Sequence, residues 1–271
     1  MKKPLVSVLI CTYNAASTIK ETILSCLDQT YTNIEILIHD DQSSDDTISI
    51  IQSLNDEKIR IVPSGKKLGP YRGLNFLLDS AKGEYIAIQD HDDLWYPEKI
   101  EKQISFLDSE QGSKYIGCGT QTRMWYEGDN TYFDYFLGAK NDYTIHPSLV
   151  FRTGEERYPE DRVYMNDAYF QKIILCQGKK LIYNLDETLT IHRIKSGADN
   201  YSYRWFQFTT INIQTLFALH PWWYACFALC WEGMRKMVYP VLQKVGKGRW
   251  IDYIERIPFK LQGYKIKYYG V

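Results

Sequence analysis

Short apolar runs alternate with amphipathic stretches along the N-terminal part of the chain. Four runs are rich in β-branched residues and predict buried strands: 5–11 (LVSVLIC), 34–40 (IEILIHD), 59–62 (IRIV) and 84–90 (EYIAIQD). The stretches between them carry apolar residues at helical spacing and predict three helices: from about 18 to 27, 43 to 54 and 71 to 81. Thr18 and Glu21 are spaced as a capping box for the first helix. This alternation predicts an α/β fold with right-handed βαβ units and a mainly parallel sheet flanked by helices.

The rest of the chain is less regular and changes character near residue 203. Before that point the pattern predicts two helices and three strand regions: helices at 97–107 and 167–176, strands at 115–126 and 147–152, and a strand pair within 180–193. Beyond it the sequence becomes helical, aromatic and basic. We therefore expect a main domain over residues 1–204 and a helical C-terminal extension over 205–271.

The C-terminal extension has two interpretations. Its apolar run at 216–231 contains His220 and Pro221 and is shorter than the roughly 20 residues that span a bilayer. The tail after it mixes Lys and Arg with Trp, Tyr and Phe, as helices that lie in a membrane interface do. The extension is therefore expected to bind a membrane surface peripherally, or else to pack on the sheet as a covering layer.

Composition narrows the class of protein. The 32 basic and 33 acidic residues balance, so there is no global positive field and no nucleic-acid partner is expected. The six cysteines are scattered without zinc-knuckle spacing, which favours reduced thiols in a cytoplasmic protein.

Acidic residues gather where predicted strands end. Asp90, Asp92 and Asp93 follow the fourth strand directly, and Asp40 and Asp41 end the second. Crowded carboxylates repel one another unless a cation binds, and hard oxygen ligands suit Mg²⁺ or Mn²⁺ shared with substrate phosphates. The alternative is that the later cluster caps the helix predicted to begin near residue 97.

A resemblance appears once these motifs are taken together. The stretch VSVLICTYNAASTIKETILSCLDQTYTNIEILIHDDQSSDDT, followed by GEYIAIQDHDDLW and MNDAYF, resembles family 2 of the inverting glycosyltransferases, over about residues 4–196. That family has the A-type nucleotide-diphospho-sugar transferase fold, which is Rossmann-like. The resemblance implies an α/β catalytic domain and a glycosyltransferase activity.

The resemblance also implies roles for residues at several strand ends. Those assigned to the nucleotide sugar are Cys11, Thr12, Tyr13, Asn14, Asp41, Arg72, Asp90, Arg193 and Lys195. Within this set, Asp41 is expected at the nucleobase, usually uracil, and Asp90 at hydroxyls of ribose or sugar. Asp92 is expected to ligate a Mn²⁺ or Mg²⁺ ion, whereas Asp93 holds the turn.

The assignment of the catalytic base rests on a motif that this chain alters. The family usually has Glu-Asp at the start of a later helix, and this chain has Asn166-Asp167, so Asp167 alone keeps the role. Glu160 and Asp161 remain alternatives. His146 is expected either to line the acceptor side or to pack locally.

The motif near the end of the match is altered as well. The family's Tyr-Arg-x-His corresponds to IHRIKS, in which Arg193 matches and Lys195 stands where His is usual. Since a charged Lys cannot ligate a metal, either His192 supplies the imidazole or Lys195 acts as a point charge on phosphate. Arg72 is expected at the diphosphate or base. The family's usual Arg would stand at Leu74, so a solvated helix residue is the alternative.

The resemblance implies a metal-dependent, inverting transfer of sugar from a nucleoside-diphosphate donor, most often UDP. The acceptor would be a hydroxyl of a glycan or of a polyprenyl-diphosphate-linked glycan in surface-polysaccharide synthesis. Such an enzyme would work in the cytoplasm, at the inner face of the cell membrane. The alternatives are a nucleotidyltransferase, which would require a Gly-rich basic loop that TYNAAST does not offer, or a non-catalytic binding protein of the same fold.

Overall fold

The fold was analysed from a computed structural model, which describes residues 3–162, 164–195, 209–244 and 267–268. These residues form strands at β1 Val6–Thr12, β2 Ile34–Asp40, β3 Ile59–Ile61, β4 Tyr85–Asp90, β5 Leu94–Trp95, β6 Gly117–Tyr126, β7 Thr131–Tyr135, β8 Lys140–Asn141, β9 Val150–Arg152, β10 Ile182–Ile194 and β11 Lys267–Tyr268. The four strands predicted in the N-terminal part lie within two residues of their expected bounds. Their buried, β-branched sequences account for this agreement.

One sheet contains all of these strands. Its main path runs β11-β7-β6-β9-β4-β1-β2-β3, and β10 pairs with β6, β5 and β8. The part predicted from the N-terminal sequence, β3-β2-β1-β4, is parallel, and β10 is parallel to β6. Strands β9 and β7 add antiparallel pairs, so the whole sheet is mixed. The α/β fold class is confirmed.

Helices cover both faces of the sheet. The described helices are α1 Ile19–Leu27, α2 Thr47–Ser53, α3 Pro70–Ser80, α4 Lys99–Leu107, α5 Asn166–Tyr169, α6 Thr210–Leu219 and α7 Trp222–Lys244. A π-helix over Phe170–Leu175 continues α5, and a 3₁₀ turn over His146–Ser148 precedes β9. The helix predicted at 167–176 is therefore α-helical only in its first turn.

The core lies in two layers, because side chains of a strand alternate between the faces of the sheet. Val8 and Ile10 of β1 face α1 and α4. Leu9, between them, faces α3 together with Ile86 of β4. All four side chains are fully buried, so both faces of the central strand are held in apolar surroundings and its carboxyl end is fixed.

Two further predictions concern the second half of the chain. The expected strand pair at 180–193 is wrong: β10 is one strand whose register with β6 shifts between Leu185, Thr188 and Thr190. The helical extension is present as α6 and α7, which pack on the segment before α5 through Leu216, Ala225 and Tyr164. Strand β11 pairs with β7, so the chain returns to the main sheet. The boundary predicted at 204/205 lies outside the described residues.

Candidate functional site

The predicted acidic clusters meet at one edge of the sheet. At the carboxyl end of β1, Thr12 lies opposite Asp40 of β2, and Cys11 lies opposite Asp90 of β4. This is the edge at which open α/β sheets bind ligands. The sequence therefore places the loops after three parallel strands side by side, with carboxylates from two of them.

The turn after β4 is fixed to α1 through its backbone. The hydroxyls of Thr18 and Thr22 both donate to the carbonyl of His91, at 3.0 and 3.1 Å. Thr18 makes no side-chain cap hydrogen bond, so the predicted capping box with Glu21 is wrong. Helix α4 begins at Lys99 without a side-chain cap either, so the Asp cluster does not cap it. The threonines of α1 instead hold the turn in place.

Asp93 joins this turn to β10. Its carboxylate is fully buried and accepts hydrogen bonds from the backbone N–H of Arg193 at 2.7 Å and from His192 Nδ1 at 2.8 Å. Burial raises the pKa of Asp93 to about 6. Burial lowers the pKa of His192, but the Asp93 carboxylate outweighs it and raises that pKa to about 9. At neutral pH the two form an ion pair, which keeps Nε2 of His192 as the ring nitrogen not bound to Asp93.

Asp92 pairs with a lysine that directly follows β10. Lys195 Nζ lies 3.4 Å from Asp92 Oδ2, and both side chains are partly buried. Within the described ranges, no group of three or more His, Cys, Asp or Glu side chains converges closely enough to hold a metal ion. The carboxylate oxygens of the turn are ligands of the kind that Mg²⁺ or Mn²⁺ accepts together with substrate phosphates.

The guanidinium of Arg193 is bonded to acids outside the turn after β4. It is bonded to Glu21 at 2.8 Å and to Glu127 at 3.2 Å, and it lies 4.8 Å from the ring centroid of Trp125. Only 5 % of the side chain is exposed. A contact with a diphosphate would require these ion pairs to open, and the role expected for Arg193 stays a prediction.

The loops after β1 and β2 are bonded to each other. Asn14, at φ +48°, accepts from the N–H of Ser44 through its side chain, while its own N–H donates to Ser43 Oγ. Ser43 in turn donates to Asp40. Asn14 therefore holds the shape of this edge, whatever it contacts in a ligand. A groove of about 260 Å³ opens beside it at the ends of β2 and β3.

Asp41 and Tyr13 lie against the loop after β3. Asp41 is buried and accepts from the backbone N–H groups of Leu68 and Gly69 at 2.5 and 3.0 Å. The Nζ of Lys67, in the same loop, lies 3.7 Å from the ring centroid of Tyr13, which is 45 % exposed. Asp41, expected at the nucleobase, and Tyr13, expected at the nucleotide sugar, thus adjoin one loop.

Asp167 stands at the start of α5, behind a strained residue. Met165 precedes the helix at φ +50°, a left-handed conformation that costs of order 1–3 kcal/mol for a non-glycine residue. Asn166 is fully buried and its amide donates to the carbonyls of Pro159 and Arg162. A Glu has no such donor, so the altered Glu-Asp pair has a structural reason: residue 166 ties down the loop before the helix.

The acid at 167 belongs to the same electrostatic environment as Asp90. Burial raises the pKa of the Tyr143 hydroxyl well above its ordinary value, and Asp167 adds to this through its charge and a hydrogen bond. Asp90 and Asp167 both act on His146 and on Tyr158. The structure therefore brings together Asp167 and the turn after β4, although Asp90 and Asp167 are 77 positions apart along the chain.

Arg72, expected at the diphosphate or base, lies on α3 and pairs with an acid of the loop before α5. It is 56 % exposed on α3 and its Nε lies 3.3 Å from Glu160, itself 61 % exposed. Asp161 pairs with the adjacent Arg162. The two alternative bases are thus exposed acids paired with arginines, whereas Asp167 is partly buried beside Tyr143.

Sequence reasoning missed two buried polar residues near the site, Tyr158 and Lys99, and the hydrogen-bond partners of a third, His146. His146 bonds to Asp90, Tyr158 bonds to His146, and Lys99 is fully buried beneath Trp95. The His-Pro step of the turn before β9 was a signal for His146, but its partner cannot be identified from spacing. Lys99 has the sequence pattern of a solvated helix residue and gave no signal.

Comparison with known proteins places this geometry in a family. The family model "Glycosyl transferase family 2" matches residues 7–154, which is more than half of the chain. A curated relative, the Escherichia coli "UDP-Glc:alpha-D-GlcNAc-diphosphoundecaprenol beta-1,3-glucosyltransferase WfaP", is 45 % identical over 107 residues, 40 % of this chain. That alignment spans 43 % of the relative's own length.

Solved structures with the same fold carry nucleotide sugars. Staphylococcus aureus TarS 1–349 in complex with UDP-GlcNAc matches with a TM-score of 0.65 at 18 % identity, over 78 % of this chain and 64 % of that one. The mannosyltransferase PcManGT from Pyrobaculum calidifontis, in complex with GDP-Man and Mn²⁺, matches with a TM-score of 0.55 at 18 % identity, over 70 % of this chain and 57 % of that one. At these identities the likeness shows a shared fold.

Proposed function

The chain belongs to glycosyl transferase family 2, and from this premise we propose that it is an inverting glycosyltransferase that uses a UDP-sugar donor. The acceptor is a hydroxyl of a glycan, most specifically of a polyprenyl-diphosphate-linked glycan in surface-polysaccharide synthesis. The observation that carries the proposal is the convergence of the Asp90–Asp92 turn, the β1 and β2 ends and Asp167 around one edge of the sheet. WfaP, named for a UDP-Glc donor and a diphosphoundecaprenol-linked acceptor, supports the donor and acceptor class.

In the proposed complex, the nucleotide lies over the carboxyl ends of β1 and β2. The base stacks at Tyr13, near Asp41 and the 260 Å³ groove, and Lys67 leaves the ring face to make room. Cys11, Thr12 and Asn14 line the floor. Asp90 accepts hydrogen bonds from hydroxyls of the sugar, as a carboxylate without a proton can only accept.

The chemical step needs a base for the acceptor and positive charge for the leaving group. Asp167 takes the proton from the acceptor hydroxyl as that oxygen attacks the anomeric carbon, so the C–O bond forms on the face opposite the departing UDP. Lys195, now paired with Asp92, is placed to meet the diphosphate. A Mn²⁺ or Mg²⁺ ion, held by Asp92 and by Nε2 of His192 once that nitrogen has given up its proton, would supply further charge neutralisation when bound.

The experiment that tests this function measures donor binding and turnover on the whole chain. We expect UDP with Mn²⁺ to raise Tm more than UDP or Mn²⁺ alone, because ligands that bind only the folded state stabilise it. We also expect UDP release from at least one UDP-sugar when a lipid-linked acceptor is present. Asp92→Asn should remove the contribution of Mn²⁺ and keep the fold.

Stabilisation by no nucleoside diphosphate, tested with UDP, dTDP and GDP, would contradict the proposal and favour a non-catalytic binding protein. Formation of a nucleotide–sugar bond from a nucleoside triphosphate and a sugar phosphate would instead support a nucleotidyltransferase. A panel of UDP-, dTDP- and GDP-sugars then identifies the donor.

The proposed location is the cytoplasmic face of the membrane, and α7 supports it. The face of this helix that packs inward carries an ion pair, Glu232 with Arg235, whereas its outer face is apolar. The exposed apolar side chains of α6 and α7 are Phe217, Trp222, Trp223, Tyr224, Phe227, Met237 and Val241. None of the described helices is long and apolar enough to cross a bilayer. An apolar stripe rich in Trp and Phe fits a helix that lies in the interface.

Replacing Trp223, Phe227 and Met237 together with Ser is expected to lower partitioning onto anionic liposomes by about tenfold or more, because the buried apolar area provides much of the binding energy. Co-sedimentation of the full chain measures it. Phe136→Ser, which removes a similarly exposed aromatic from a loop of the main domain, is the matched control. Equal binding of the triple variant and the control would exclude this face as the membrane contact.

A further inference from the structure

A buried histidine lies behind the carboxylate expected to hold the donor sugar. His146 is 8 % exposed, and its Nδ1 lies 3.3 Å from Asp90 Oδ1. Its other nitrogen, Nε2, lies 2.9 Å from the hydroxyl of Tyr158. Both ring nitrogens therefore have a protein partner. Hydrogen bonds connect Tyr158 through His146 to Asp90, and we call these three side chains the bridge.

The protonation state of His146 follows from that of Asp90. A carboxyl group that lies 3.3 Å from an imidazole nitrogen is ionised at neutral pH. An ionised carboxylate only accepts, so Nδ1 of His146 carries the proton and donates it in the bond to Asp90. Nε2 then accepts from Tyr158 when the ring is neutral and donates to it when the ring is charged.

The turn that carries His146 is held from below by α4 and by the strand before it. Trp95 Nε1 donates to the carbonyl of Pro147 at 2.8 Å, and Gln103 Nε2 donates to that of Ser148 at 2.9 Å. Ser148 Oγ in turn accepts from the N–H of Thr120. These partners are buried, so the backbone under the imidazole has little freedom.

Tyr158 is held as firmly on the other side. The side chain of Asn75 in α3 accepts from the N–H of Tyr158 and donates to its carbonyl, both at 2.8 Å. The phenol ring stacks on Phe170 with the centroids 3.9 Å apart and meets the imidazole edge-on. Since Tyr158 is 1 % exposed, its hydroxyl is not accessible to a substrate.

We propose that His146 is a positioning residue, held by Tyr158, that fixes the Asp90 carboxylate in the orientation in which it binds the donor sugar. This inference rests on the proposed function, because it takes the role of Asp90 from there. His146 does not itself take the acceptor's proton, since Asp90 and Tyr158 occupy its two nitrogens. Its effect should therefore fall on the donor sugar and not on the UDP part or on the acceptor.

Three variants test the bridge through steady-state kinetics and donor binding. His146→Leu removes the donor to Asp90, and we expect kcat to fall by about 10²-fold, a loss typical of a misplacement of about 1 Å. We also expect a higher KM for the UDP-sugar, while the Kd of UDP and the KM of the acceptor stay unchanged. His146→Asn keeps an N–H near the position of Nδ1 and should recover most of the loss. Tyr158→Phe keeps the ring stack and should give an intermediate effect.

A measurement without turnover checks the same geometry. The chain has five histidines, so NMR of protein labelled with ¹⁵N in histidine resolves few ring N–H signals. The Nδ1–H signal that is lost in His146→Asn should be strongly downfield in the unmutated protein, because its bond to a carboxylate is charge-assisted. It should move upfield in Asp90→Asn.

The outcomes separate the two proposals. A His146→Leu variant that folds, with an unchanged KM for the UDP-sugar or with equal losses toward donor and acceptor, would overturn the positioning role. Failure of His146→Asn to recover activity beyond His146→Leu would do so too. If the unmutated chain transfers no sugar while the ring signal still responds to Asp90→Asn, the proposed function fails and the bridge is structural only.

Discussion

Replacement of Asp167 with Asn is expected to lower kcat by about 10²–10⁴-fold, the range that a positioned general base contributes. Asn has nearly the same shape but cannot accept a proton at neutral pH. The Tyr143 hydroxyl can still bond to the amide oxygen, so the helix start should keep its geometry. The KM of the UDP-sugar and the thermal stability should therefore change little, and single-turnover transfer to the acceptor measures the loss in the chemical step.

Two matched variants identify the base among the neighbouring acids. Glu160→Gln and Asp161→Asn alter the exposed acids of the preceding loop, each of which is paired with an arginine. They are expected to keep transfer within about twofold, as exposed ion pairs contribute little. A large loss in Glu160→Gln together with near-normal transfer in Asp167→Asn would move the base to the loop, without affecting the conclusion on fold or family.

Replacement of Lys99 with Met is expected to stabilise the protein by several kcal/mol at neutral pH. Lys99 is fully buried, and its Nζ contacts Gln103 Oε1 at 2.9 Å and the face of Trp95 at 4.0 Å. No carboxylate of the described residues lies within ion-pair distance of this ammonium. Burial lowers the pKa of Lys99 from its ordinary 10.5 to about 7. Protonation of Lys99 therefore destabilises the folded state relative to the unfolded state.

The sign of the pH dependence follows from this depressed value. Between about pH 7 and 10.5 the unfolded chain binds more protons at Lys99 than the folded one, so the free energy of unfolding rises with pH in that window. Below about pH 7 the full penalty applies, and it amounts to no more than about 5 kcal/mol at 1.36 kcal/mol per unit. Loss of the bond to Gln103 subtracts about 1 kcal/mol from what Met gains.

Urea unfolding at several pH values measures this difference. The stability gained by Lys99→Met should be largest near pH 7 and shrink steadily toward pH 10. Lys102→Met is the matched control, because Lys102 lies on the same helix, is partly exposed and pairs with Glu187. A gain for Lys99→Met that does not vary with pH would mean that the amine is neutral or solvated throughout, and would contradict its burial as a potential charge.

The sequence predicted the N-terminal strands of the fold well because one signal, the apolar run, dominates there. Each of β1, β2 and β4 is a mainly apolar run, and a strand buried on both faces requires such a run. In β10 the same rule failed. Asp186 and Glu187 interrupt the apolar pattern as a turn would, yet the strand accommodates them through shifts in its register with β6 and continues.

The candidate site divides in the same way. Residues at strand ends, such as Asp41, Asp90 and Asp92, could be found because the carboxyl ends of parallel strands meet by topology. His146 contacts Asp90 across 56 positions of sequence, in a turn that precedes an antiparallel strand, and no periodic pattern encodes that contact. The ion-pair partners of Arg193 could not be predicted for the same reason, because Glu21 and Glu127 come from distant elements.

The reciprocal bond between Asn75 and the backbone of residue 158 bears on how this enzyme could be recombined with others. The family match ends at residue 154, so a chimera joined there would take the N-terminal part from one parent and the C-terminal part from another. Such a junction puts Asn75 and residue 158 in parts that come from different parents. Asn75 bonds only to the backbone N–H and carbonyl of residue 158, and not to its side chain. An N-terminal part with Asn at position 75 should therefore accept a foreign C-terminal part, whereas one with an aliphatic residue there should leave two buried backbone groups unpaired and the orientation of Asp90 undefined.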